Sequence, residues 1–150
     1  MPMRVQTKDH LSELLISRWE HVSKKLEPVA EEFPEREYDS RPVSEVRTFG
    51  DVLRHVAFWN RYVADSVRGR QSDDRLNELP KSEYGTKPKI LKALKASVAA
   101  SIAALREQEP GLSPEIAELV ETFIEHTSEH YGQLVVYTRL NGMEPRASRV

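Results

Sequence analysis

Cysteine is absent from this chain of 150 residues. Its absence excludes disulfides, thiolate metal ligands and a sulfur nucleophile carried by the protein, so any metal site must be built from nitrogen and oxygen ligands. Sulfur chemistry would need a thiol supplied from outside. An excess of one charge is also missing. With 22 basic and 24 acidic side chains the formal net charge is only -2, which gives no general attraction to nucleic acid or to anionic lipid. Long apolar runs are lacking too: no stretch approaches the roughly 18 residues of a membrane span. The opening Met-Pro-Met-Arg-Val-Gln-Thr-Lys contains no signal-peptide core. A cytoplasmic protein with no nucleic-acid and no membrane partner is therefore expected. No internal repeat, low-complexity segment or sustained period-2 alternation is present, and the last of these argues against a sheet.

What the sequence does contain is helical periodicity. The length suits a single domain over residues 1–150, with residues 1–6 and 146–150 read as short loose ends. Residues 8–32 carry Leu11, Leu15, Trp19, Val22, Leu26 and Val29 at helical spacing, with Thr7 as N-cap and Pro28 expected to kink or end the helix. Residues 33–47, interrupted by Pro34 and Pro42, read as an irregular connection. Thr48 then caps a second helix with the stripe Phe49, Val52, Leu53, Val56, Asn60 and Val63, running to about Arg68 and stopped by Gly69. The polar stretch from Arg70 to Thr86 is too long for a tight turn, and loops of that kind are often lids. A third helix follows from about Pro88 through Ile90, Leu91, Leu94, Val98, Ile102 and Leu105 to Glu107, ended by Pro110 and Gly111. Ser113, Pro114 and Glu115 open a fourth, which runs to about Leu140 and stops at Asn141-Gly142. The short link should make helices three and four antiparallel neighbours. Four helices, each with one apolar face, bury those faces most simply as an all-α four-helix bundle.

The apolar stripe of the fourth helix is interrupted by chemistry. Reading Ile116, Leu119, Val120, Phe123, Thr127, His130, Leu134 and Tyr137 as one face puts His130 in line with it and His126 beside it. The two rings are about 6 Å apart in rise and about 40° apart in rotation, so they can converge on one point. His55 lies on the flank of the second helix, beside Val52, Trp59 and Tyr62. One inward histidine is readily explained as a core residue satisfied by polar neighbours. Three of only five in the chain point to a metal. Three imidazoles leave one position of a tetrahedral site open, the arrangement that admits water or substrate. His10 and His21 fall on the polar shoulder of the first helix and read as surface residues. Asp51 or Glu129 could orient an imidazole through its second nitrogen, or be solvated carboxylates. Gln133 could reach the pocket or bond to a neighbouring helix, and Trp59 and Tyr62 could line a substrate cavity. Lys87, Lys89, Lys92 and Lys95 alternate with the apolar face of the third helix as a solvated surface does.

With these residues laid out, the chain resembles the DinB-like family, also described as the DinB/YfiT-like group of metalloenzymes. Three pieces carry the likeness: Arg41-Pro42 with Thr48-Phe49-Gly50-Asp51-Val52-Leu53-Arg54-His55-Val56-Ala57, then His126-Thr-Ser-Glu-His130-Tyr-Gly132-Gln133-Leu134, then Tyr137-Thr-Arg139-Leu-Asn141-Gly142-Met-Glu-Pro145. The resemblance implies a four-helix bundle, often a homodimer, holding a divalent ion by His55, His126 and His130. Members of the group include thiol S-transferases that use low-molecular-weight bacterial thiols, and a mycothiol-dependent isomerase. The preferred expectation is thus a metal-dependent thiol S-transferase acting on a small-molecule substrate, with zinc or nickel favoured as the ion and the thiol as a further cofactor. A metal-dependent hydrolase, a non-catalytic metal- or ligand-binding stress protein, and a plain helical scaffold are the competing readings.

Overall fold

A computed structural model describes residues 10–108 and 111–149. Four α-helices make up the body: α1 (His10–Glu32), α2 (Phe49–Val67), α3 (Lys87–Arg106) and α4 (Pro114–Leu140), with single 3-10 turns at Glu35–Glu37 and Arg146–Ser148 and no strand among the described residues. None of these helices is long and apolar enough to cross a membrane.

Local chemistry sets the helix ends. The Thr48 hydroxyl accepts from the Asp51 amide at 3.1 Å, and the Ser113 hydroxyl from the Ile116 amide at 3.2 Å, so each satisfies a donor that the first helical turn leaves unpaired. Gly69 and Gly142, at φ 72° and 74°, supply the left-handed step that stops α2 and α4. Thr7 and Pro110 lie outside the described residues. Pro28 does not end α1. The helix continues through it to Glu32, because Val29, Ala30 and Phe33 just beyond it are buried in the core and their burial outweighs one lost backbone bond. Leu11, expected in the α1 stripe, is 58% exposed.

The helices form a ring in which α2 packs on α3 and α4, and α1 packs on α4 and α3. α3 and α4 are consecutive but, contrary to the expectation from their short link, they are not direct neighbours. The inner face of α3 is committed to α2: Asn60 donates to the Ser97 hydroxyl, and the Ser101 hydroxyl donates to the Asn60 carbonyl at 2.6 Å. Meanwhile the Leu112 amide donates to Ser12 of α1, which carries the chain to the far side before α4 begins. The C-terminal turn is also tied down rather than loose, since Arg146 and Arg149 both pair with Glu32 at the end of α1.

Two apolar clusters fill the interior. One gathers Phe33, Tyr38, Phe49, Leu53, Leu94, Leu134 and Tyr137 at one end, with Phe33 stacked on Phe49. The other gathers Trp19, Val63, Leu105, Val120 and Phe123. On α4 the change from one cluster to the other falls between Phe123 and Leu134, and the two histidines of that helix occupy this gap.

Candidate metal centre

α2 and α4 are neighbours, and their facing sides bring three imidazoles together. His55 comes from α2, with His126 and His130 from one turn apart on α4. One ring nitrogen from each lies within 4.8 Å of the others. The ring centroids are 4.5 to 4.8 Å apart, and the Nε2 atoms of His55 and His126 are separated by 2.9 Å. His55 is 6% exposed, and the other two are half-buried.

The second nitrogen of two rings has a defined partner. His55 Nδ1 donates to the main-chain carbonyl of Asn77 at 2.6 Å. His130 Nδ1 donates to Gln133 Oε1 at 2.9 Å, Gln133 Nε2 donates to the Tyr137 hydroxyl at 3.0 Å, and that hydroxyl donates to the Arg47 carbonyl at 2.7 Å. The last link settles the rest: a carbonyl only accepts, so Tyr137 must receive from the Gln133 amide, whose oxygen then faces His130. Both rings thus carry their proton on Nδ1 and offer the Nε2 lone pair inward. For His126 Nδ1 there is no hydrogen-bond partner among the described residues.

Burial pushes all three imidazoles toward the neutral form. It lowers His55 from its ordinary 6.5 to about 4, opposed by the Asn77 carbonyl and helped by the charge of Arg47 and by that of His130 when its ring takes up a proton. His126 falls to about 3, through burial and then the charges of His130, His55 and Arg47. His130 is also lowered by burial, against the opposing effects of the Gln133 bond and the Glu129 carboxylate. Neutral imidazole is the state that binds a cation.

An aromatic wall closes one side. Trp59 stacks on Phe123 with centroids 5.5 Å apart, and both rings make T-shaped contacts with His126. Tyr62 packs against Trp59 and Phe123, one layer back from the imidazoles. Phe123 was legible only as a core position, because its helical spacing is that of any buried residue.

Asp51 orients no imidazole. Its carboxylate pairs with Arg54, a guanidinium only 2% exposed and so in need of a counter-charge. Burial raises the Asp51 pKa, but the bonds from Arg54 and Thr48 outweigh it and hold the carboxyl below its usual value. Glu129 is exposed and reaches His130 through its charge. Gln133 acts within its own helix, accepting from His130 rather than donating into the pocket. Sequence reasoning missed Asn77, Arg47 and Tyr137 as supports, because two of the three contribute main-chain carbonyls that no side-chain pattern announces.

A family model, that of the DinB superfamily, matches residues 18–134. The chain belongs to the DinB superfamily. The match runs from within α1 to Leu134 of α4 and includes all three histidines. No curated protein matches the chain. DinB superfamily domains are typically metal-binding, and the three-histidine group here is of a kind that could hold a divalent ion. The donor set fits one. Two nitrogens bound tetrahedrally at 2.0–2.1 Å are ~3.3 Å apart, so the His55 and His126 Nε2 atoms, at 2.9 Å, need to part by only a few tenths of an ångström.

Proposed function

We propose that His55, His126 and His130 hold one divalent cation, zinc or nickel, and that this DinB superfamily protein is a cytoplasmic thiol S-transferase joining a low-molecular-weight bacterial thiol to a small-molecule electrophile. The metal part is carried by one observation: three neutral imidazoles converge, two of them with their tautomers fixed by outer partners. The thiol part is supported by the family likeness and by a cysteine-free chain, which leaves the sulfur to come from outside. When bound, the cation would supply Lewis acidity and lower the pKa of a thiol or water at the remaining position.

The surrounding residues suit that task. Trp59 and Phe123 pack against His126 and cover that side of the rings with apolar surface. Arg47, which pairs with Glu78 at 3.8 Å, adds its charge to the burial that keeps all three imidazoles neutral. The family likeness further supports a homodimer, which sedimentation at working concentration tests.

The function is tested by screening bacterial thiols with electrophilic acceptors on metal-loaded protein, alongside hydrolysable esters and amides. Thiol-dependent conjugation that disappears in His126→Ala together with the bound metal, while the helical circular dichroism persists, is the expected result. Hydrolysis without thiol would replace the transferase by a hydrolase. Full activity in His126→Ala would reject the centre's role.

A further inference from the structure

The connection between α2 and α3 has no regular structure, yet it is tightly held. The Leu79 side chain is buried and its amide donates to the Arg54 carbonyl, Arg54 donates to the Tyr84 carbonyl at 3.0 Å, and Lys81 pairs with Asp39 at 2.8 Å. Within this strap Asn77 has φ 60°, the positive value otherwise found only at glycines among the described residues. L side chains disfavour that region, asparagine less than most.

The unusual backbone coincides with a double contact. The Asn77 main-chain oxygen receives His55 Nδ1 at 2.6 Å, and its side-chain Oδ1 receives Trp59 Nε1 at 2.8 Å. One residue therefore touches both a candidate ligand and the aromatic wall beside it. A residue confined to negative φ would turn the carbonyl away from His55. The imidazole could then place its proton on Nε2, and the lone pair facing the other rings would be lost.

We propose that Asn77 is the positioning residue of the centre: its left-handed backbone holds a carbonyl on His55 Nδ1, fixing the tautomer whose Nε2 faces the cation, so that order in the strap and occupancy of the centre are coupled. The coupling is reciprocal, since whatever favours the ordered strap strengthens binding and a bound cation stabilises the strap in return. This inference rests on the three-histidine metal reading.

The test compares Asn77→Ala with Asn77→Gly. Alanine disfavours positive φ, whereas glycine accepts it and keeps the carbonyl while losing the bond to Trp59. Two quantities are read on the full chain: zinc affinity by competition with a chromophoric chelator, and the His55 tautomer by long-range proton–nitrogen NMR of the metal-free protein. In Asn77→Ala we expect zinc to bind roughly 10–100-fold more weakly and His55 to shift toward the Nε2–H form, while Asn77→Gly stays within about threefold of the parent and keeps Nδ1–H. A result in which either readout is unchanged in Asn77→Ala, or in which Asn77→Gly loses as much as Asn77→Ala, overturns the positioning role. Failure of the parent protein to bind zinc is a separate result, removing the metal reading and this inference with it.

Discussion

The Nε2 atoms of His55 and His126 face each other across 2.9 Å, and two lone pairs cannot share that gap. His55 already has its proton on Nδ1, held by the Asn77 carbonyl. In the metal-free protein the proton between the rings therefore belongs to His126 Nε2, which donates to His55. Binding a cation requires His126 to move that proton to Nδ1. We predict that zinc changes the tautomer of His126 alone, with His55 and His130 in the Nδ1–H form before and after. Proton–nitrogen correlation spectra of the imidazoles report this, and a tautomer change at His55 or His130 on zinc addition would contradict it.

Acid should destabilise the metal-free protein earlier than carboxylate titration alone would. The imidazoles of His55 and His126 sit at about 4 and about 3 in the fold, against an ordinary 6.5. Below 6.5 the unfolded chain takes up protons that the folded one refuses, so stability is fully present above that pH and falls as pH drops toward 4. Urea midpoints of the metal-free protein, measured from about pH 7 to about pH 4.5, should decline steadily. A flat or rising profile would mean that the rings are not held neutral by burial.

The route from His130 to the Arg47 carbonyl makes Gln133 a support of the centre. Gln133→Leu keeps the size of the side chain but removes the acceptor for His130 Nδ1 and the donor to Tyr137. Loss of such an outer partner costs roughly 10–100-fold in metal affinity. Zinc competition should show that loss with the thermal midpoint of the metal-free protein little changed. Parent-like affinity would show that the ring is oriented by packing instead.

Much of this architecture could be read from the chain. Thr48 and Ser113 announce helix starts, Gly69 and Gly142 announce stops, and the i, i+4 pair His126 and His130 breaks an apolar stripe in the one way that brings two imidazoles together. These are local signals, written within a turn or two of the residue concerned. Pro28 shows the limit of such signals: its local chemistry argues for a kink or an end, and the burial of Val29, Ala30 and Phe33 after it keeps the helix going to Glu32. The α3–α4 arrangement turned on Asn60, Ser97 and Ser101 binding α3 to α2, pairings distant in sequence. Asp51 stood one turn before His55 and looked available, but buried Arg54 holds it. Asn77 left a fainter trace, as an asparagine in a polar connection, a type that tolerates left-handed backbone. Its carbonyl contact to His55 has no sequence signature, since every residue has a carbonyl.

That three histidines share one cation is tested most directly by X-ray absorption of the zinc-loaded protein. The expected result is one zinc per chain, with three imidazole nitrogens at about 2.0–2.1 Å, their ring carbons visible in the outer shells, and one further light or sulfur ligand. Zinc that fails to bind in stoichiometric amount, or binds through carboxylates with fewer than three imidazoles, would contradict it.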